Sequence, residues 1–142
     1  MVKLIESKND LRLMRKSILR TESVGFVPTM GNLHNGHLSL VQKSIEATDI
    51  TFISIFVNPT QFGVNEDYSN YPRTLKEDIL KIETLSSKKE IIVFAPSDIS
   101  EVYPRKFTTK FSIPHLENCL CGIHRPGHFS GVLDVIYQLF NI

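Results

Sequence analysis

The sequence predicts an α/β fold, an open parallel sheet with flanking helices. Two short runs, Thr51-Phe52-Ile53-Ser54-Ile55-Phe56-Val57 and Ile91-Ile92-Val93-Phe94, are rich in β-branched and aromatic residues and read as strands buried on both faces. Each is closed by a proline shortly after it, at Pro59 and Pro96. A third apolar run, Val24-Gly25-Phe26-Val27, precedes them, and segments of helical period separate all three. This strand–helix–strand–helix–strand order is the pattern of a parallel sheet covered by helices.

Residues 7–20 read as an amphipathic helix, with Leu11, Met14 and Ile18 at helical spacing and Lys and Arg elsewhere. Pro28 is expected to stop the strand that begins at Val24. The segment from Thr29 to His37, with two glycines and two asparagines, reads as a loop, and helical period returns with Leu38, Val41 and Ile45. After the strand ending at Val57 a polar loop runs to Pro72, and Thr74-Leu75-Lys76-Glu77 fits a capping box. Leu75, Ile79 and Ile82 give the helix behind it an apolar stripe. Farther on, Phe107–Ile113 alternates like an edge strand and residues 114–121 fit a short helical turn. Arg125-Pro126-Gly127 forms a turn, and a last helix places Val132, Val135, Ile136, Leu139 and Phe140 on one face. With no repeat, low-complexity tract or linker, residues 1–142 read as one domain.

Composition limits the functional classes. The chain has 142 residues and a net charge of +1, with 42% apolar and 22% charged residues, an ordinary globular balance. Near-neutral charge removes the electrostatic reason to expect nucleic acid or an anionic membrane as partner. No apolar run approaches the ~20 residues that span a bilayer, and the N-terminus lacks a signal-peptide core. Cys119 and Cys121 are too few for a disulfide framework. The expected location is the cytoplasm.

The segment richest in chemistry is His34-Asn35-Gly36-His37, between a strand and a helix. Ligands of open α/β sheets bind at the carboxyl ends of strands, beside helix N-termini whose free N–H groups and dipole suit phosphate. Gly31 and Gly36 let the backbone approach a ligand, and two imidazoles three residues apart can face one polyphosphate. Such donors suit the charge that develops when a nucleophile attacks the α-phosphate of ATP. Two other readings stay open: a His-x-x-His metal pair, against which stands the lack of a nearby cysteine, and two surface histidines without a role. Cys119, Cys121, His124 and His128 hold enough donors for zinc, but the two halves are nearly contiguous where zinc fingers separate them by ~12 residues. No metal site is therefore expected.

Pro28-Thr29-Met30-Gly31-Asn32-Leu33-His34-Asn35-Gly36-His37 resembles the nucleotide-binding signature of the pantothenate synthetase (pantoate–β-alanine ligase) family. Three further segments match the same family in order: Ser54 to Gly63, Asp67 to Thr74, and Arg125 to Val132. The wider His-x-Gly-His nucleotidyltransferase group shares only the first motif. The resemblance implies a Rossmann-like ATP-binding domain and a two-step reaction. Pantoate carboxylate attacks the α-phosphate of ATP, which carries Mg2+, to give pantoyl adenylate and pyrophosphate. The amine of β-alanine then displaces AMP to give pantothenate.

By the same resemblance Met30, Gly31, Asn32, Leu33, His34, Asn35, Gly36 and His37 line the ATP site. His34 and His37 hold the phosphates, and His37 is the proton donor. Gln61 binds pantoate and later meets β-alanine, and Phe62, Val132, Val135 and Ile136 form an apolar wall for the pantoate methyl groups. For Gln61 the plain alternative is a loop amide capping backbone; for the three helix residues it is an ordinary core stripe. Tyr71 and Arg73 lie in a matching stretch and receive no role.

Members of the family are about twice this length and form homodimers. The resemblance implies further ATP and pantoate contacts and a small C-terminal domain beyond the point matching Ile142. The expectation is therefore an N-terminal ATP- and pantoate-binding part without that domain, with little turnover alone. The competing expectations are another His-x-Gly-His nucleotidyltransferase, or a folded remnant that keeps the dimer surface without catalysis.

Overall fold

Alternating apolar runs and amphipathic segments do build a parallel sheet. The computed structural model describes residues 2–63, 66, 68–85, 88–103, 109–119 and 122–142. They fall into two compact units, Met1–Phe56 with Pro72–Ser97, and Val57–Tyr71 with Asp98–Ile142.

The first unit is the sheet and its helices. It comprises β1 (Val2–Ile5), α1 (Lys8–Ser17), β2 (Val24–Thr29), α2 (Asn35–Ala47), β3 (Ile50–Ile55), α3 (Leu75–Glu83) and β4 (Glu90–Phe94). The four strands are all parallel, in the order β1-β4-β3-β2. Central β3 is flanked on both sides and buried from Ile50 to Ser54, which is why it reads as an unbroken apolar run. Val27, Ile53 and Val93 share a register row and join Val41, Ile45 and Ile82 in one core cluster.

Three local expectations need correction. β1 has no counterpart in the sequence reading: it is four residues long, contains Lys3, and owes its extended form to pairing with β4 rather than to a pattern of its own. Pro28 does not stop β2, whose register with β3 continues through Pro28↔Ser54 and Thr29↔Ile55. β2 is an edge strand, where a residue without an N–H is tolerated. Thr74 makes no capping bond; its hydroxyl goes instead to Asp78.

In the same unit, side chains hold the start of α1 and the end of α2. Ser7 caps α1 by accepting from Asp10 N at 3.1 Å. α2 lacks a C-terminal glycine, and Lys89 Nζ caps its last carbonyls by donating to Ile45 O at 2.7 Å and Thr48 O at 2.9 Å.

The second unit holds short 3-10 turns at Pro59–Gln61 and Ile99–Glu101, then α4 (Pro114–Glu117) and α5 (His128–Phe140). No strand forms over Thr109–Ile113; Phe107 and Thr108, the start of the expected edge strand, lie outside the described residues. α5 follows Gly127, whose φ of +80° suits glycine. Its buried positions are Gly131, Asp134, Val135 and Gln138, not the purely apolar stripe expected; Phe140 is 63% exposed. Asp134 is buried because the Phe111 N–H and the Lys110 ammonium satisfy it, at 3.2 and 3.4 Å. Among the described residues no helix is long and apolar enough to cross a membrane.

Replacing Lys89 with Met leaves the carbonyls at the end of α2 without their charged donor. The expected loss is about 1 kcal/mol, seen as a Tm lowered by a few degrees, with K89R falling between the two.

Candidate active site

The histidine loop is built by a carboxylate from α3. At the end of β2, Thr29 Oγ1 donates to Ser54 O at 2.7 Å and accepts from Gly31 N at 3.2 Å, which turns the chain out of the sheet. Gly31 and Asn32 then take left-handed φ values of +85° and +51°. Glycine and asparagine are the residues that adopt this conformation most readily. A Cβ at Gly31 would also stand 3.1 Å from Asp78 Oδ2. The turn aims two successive N–H groups, of Asn32 and Leu33, at the buried Asp78 carboxylate, at 2.9 and 2.7 Å. Thr74 Oγ1 donates to the same carboxylate at 3.2 Å. One turn along α3, Lys81 Nζ donates to Leu33 O at 2.7 Å.

Helix α2 starts at Asn35, three residues before helical period becomes visible, because histidines cap it. His34 is the N-cap; its Nδ1 accepts from Gly36 N at 3.1 Å, while His37 Nδ1 accepts from His34 N at 3.4 Å. Gly36 leaves room for this, since a Cβ there would lie 2.9 Å from His34 Cε1. Both Nδ1 atoms serve as acceptors, so both rings are neutral with the proton on Nε2. The ring centroids are 4.0 Å apart. Burial, then the neighbouring His34, hold the His37 pKa below its ordinary value of 6.5, against an opposing pull from Asp78.

The N–H groups of Gly31, Asn32, Leu33, His34 and Gly36 are thus all bonded within the protein. The Nε2–H donors of His34 and His37, beside the N-terminus of α2, are not used in these bonds. Gly31 and Leu33 are buried, Met30 and His37 half-buried, and Asn32, His34, Asn35 and Gly36 exposed. Beside the loop, Leu33, His34, Asn35, Leu38 and Lys81 line an open depression of about 470 Å³.

In the second unit the hub is Asn58, which lies in the Ser54 to Gly63 segment and received no role from the sequence. It is 1% exposed. Its Oδ1 accepts from Tyr103 OH at 2.9 Å and Thr60 Oγ1 at 3.0 Å, and its Nδ2 donates to Gly131 O and Gln61 Oε1, both at 3.1 Å. Burial pushes the Tyr103 pKa up, so the phenol keeps its proton to donate. Gln61 Oε1 thus takes one bond from Asn58, and the Gln61 Nε2 hydrogens are not used in this network.

Gln61 and Phe62 lie in or just after the 3-10 turn, and Val132, Val135 and Ile136 lie on α5. Val135 is buried and the other two half-buried. Phe62 packs edge-on against Tyr68 and Tyr71, with centroids 5.4 and 5.7 Å away. Arg73 is exposed and precedes α3. Asp67 and Cys121 lie outside the described residues, among which no group of three or more His, Cys, Asp or Glu could hold a metal ion.

Asp78→Asn presents an amide to the two loop N–H groups and strands one of them. The expected loss is about 2–3 kcal/mol in urea unfolding, with faster amide exchange at Asn32 and Leu33. The lowered His37 pKa has a pH consequence. As pH falls, the unfolded chain takes up its imidazole proton first, so the contribution of His37 to stability is full above about pH 6.5 and fades below it. Unfolding free energy should therefore drop between pH 7.5 and 5, and less steeply in H37Q.

The pantoate-beta-alanine ligase family model matches residues 3–142. Pantothenate synthetases of Fervidobacterium nodosum and Thermosipho africanus are 47% and 48% identical, over 99% of this chain and 49% and 50% of their own. The crystal structure of pantothenate synthetase from Thermus thermophilus superposes with a TM-score of 0.84 at 39% identity, over 98% of this chain and 48% of that one. Pantoate-beta-alanine ligase from Francisella tularensis, complexed with beta-gamma ATP and beta-alanine, gives 0.87 at 35% identity, over 99% and 53%. The chain spans about half the length of these relatives. The fold is the α/β, Rossmann-like one the sequence predicts, and the chain belongs to the pantoate–beta-alanine ligase family.

Proposed function

We propose that these residues form the N-terminal, ATP- and pantoate-binding part of a ligase that joins pantoate to β-alanine through pantoyl adenylate. The observation that carries this reading is the pair of Nε2–H donors of His34 and His37 at the N-terminus of α2.

In the first step a pantoate carboxylate oxygen bonds to the α-phosphorus of ATP, and the bond from that phosphorus to pyrophosphate breaks. A carboxylate with a pKa near ~4 is already ionised at neutral pH and needs no general base. It needs positioning and stabilisation of the charge on the phosphoryl oxygens. His34 and His37 supply hydrogen-bond donors for that charge, and His37 acts as donor through its Nε2–H without giving up the proton. Mg2+ arrives with ATP as part of the substrate. In the second step the free amine of β-alanine attacks the acyl carbon, the bond from that carbon to the AMP oxygen breaks, AMP leaves, and the amine gives up a proton to water.

Gln61 offers its Nε2 hydrogens to a pantoate hydroxyl or carboxylate and later meets β-alanine. Phe62, Val132, Val135 and Ile136 supply apolar contact for the methyl groups. The loop Met30–His37 borders the nucleotide. The reading extends to a cytoplasmic homodimer, and to further contacts from the half of the family's length that these residues do not span.

Calorimetric titration tests this. The chain is expected to bind ATP and pantoate and to form AMP far more slowly than a full-length relative. H34Q/H37Q should weaken ATP at least about tenfold while leaving pantoate unchanged. Wild-type chain that binds neither ligand, or histidine variants that bind ATP as wild type does, would overturn the reading.

A further inference from the structure

The Pro59–Gln61 turn is gripped from several sides. A Cβ on Gly131 would stand 2.2 Å from Thr60 O, so α5 lies directly against the turn backbone. Asn58 fixes the Gln61 side-chain oxygen, as above. A third hold comes through a chain of side chains with no part in the reaction just described. Glu66 accepts from Gly63 N at 2.9 Å and takes both arms of the Arg125 guanidinium, Nε to Oε1 and Nη2 to Oε2. The Arg125 bonds pull the Glu66 pKa down to about 2, so the pair stays ionised wherever histidines titrate. The third arm, Arg125 Nη1, lies 3.2 Å from His128 Nε2, and His128 Nδ1 lies 2.9 Å from Gln61 O.

These contacts permit one form of His128. A guanidinium can only donate, so Nε2 must accept; a carbonyl can only accept, so Nδ1 must carry the proton. His128 is thus neutral and locked in the Nδ1–H tautomer, the reverse of His34 and His37.

We propose that Glu66, Arg125 and His128 act as a positioning relay for Gln61. Arg125 selects the tautomer, and His128 spends its single proton on the Gln61 carbonyl, fixing the backbone from which the amide projects. Every other hold on Gln61 is then internal, and its Nε2 hydrogens remain for a ligand. The role rests on the reading of Gln61 as a pantoate-binding residue. His128 itself touches no substrate in this scheme.

Two measurements test it. Ring nitrogen NMR on the wild-type chain should show His128 protonated at Nδ1, with His34 and His37 protonated at Nε2; an Nε2–H form of His128 overturns the relay. Arg125→Lys keeps a cation for Glu66 but loses the fork, and both His128 tautomers should then populate; a single unchanged tautomer also overturns it. In pantoate titrations His128→Leu should raise Kd about tenfold or more with ATP affinity unchanged, and His128→Asn, which restores a donor near Nδ1, should recover most of the loss. Wild-type pantoate binding with no effect of H128L overturns the positioning role alone. No pantoate binding by the wild-type chain overturns the Gln61 reading and the relay with it. Should H128L fail to fold, the tautomer measurements on wild type and R125K decide.

Discussion

The two hydrogen bonds from Asn32 N and Leu33 N to the Asp78 carboxylate determine the shape of the candidate nucleotide site. Backbone N–H groups that leave a strand and are not yet in a helix need acceptors, and here a carboxylate more than forty positions away supplies them. Fixing Asn32 and Leu33 fixes where His34 must cap α2, and the cap in turn fixes both ring orientations. Lys81 secures the opposite, carbonyl side of Leu33, so a single face of α3 holds the loop on both polarities. Burying the Asp78 charge is tolerable because two N–H groups and a hydroxyl satisfy it.

The histidines of the chain illustrate how one side-chain type is given opposite functions by its partners. Backbone donors aimed at Nδ1 leave the Nε2–H groups of His34 and His37 outside these bonds. A guanidinium aimed at Nε2 turns the proton of His128 inward, toward a carbonyl. The former arrangement leaves a donor for a ligand; the latter consumes it in the protein. Neither needs a protonated ring, and the depressed pKa of His37 fits a donor that works neutral.

What the sequence made legible follows from the range over which each determinant acts. β3, β4 and the core face of α2 announce themselves because their burial is encoded in residues that are consecutive or one helical turn apart. The histidine loop is legible because its residues are contiguous. Asp78 and Asn58 are not: each is a single polar residue whose importance lies in partners distant in the chain, and α3's apolar stripe hides an aspartate as readily as a leucine would fill it. Pro28 misleads because proline argues against a central strand while remaining acceptable at an edge, and edge position is a property of the sheet, not of the run. α5 misleads for a related reason. Its buried face includes Asp134 and Gln138, and periodicity counts only the apolar residues beside them.

The near-neutral charge of the chain, which argued against polyanionic partners, is compatible with a polyphosphate ligand once the donors are located. A net charge acts over a Debye length, about 8–10 Å in physiological salt, and would attract any anion. Two neutral imidazole donors beside the positive end of α2 act only at contact distance and favour an anion that can span both rings. Such donors gain strength as water is excluded and charge grows on the atom they face, so they favour a developing phosphoryl charge over a resting one. A lysine pair in the same place would hold ATP by attraction that is nearly the same before and during reaction, lowering Kd without lowering the barrier. On the proposed reading, rigidly capped, neutral histidines are therefore better suited to adenylate formation than a more basic loop would be, and Asp78 is what keeps them rigid.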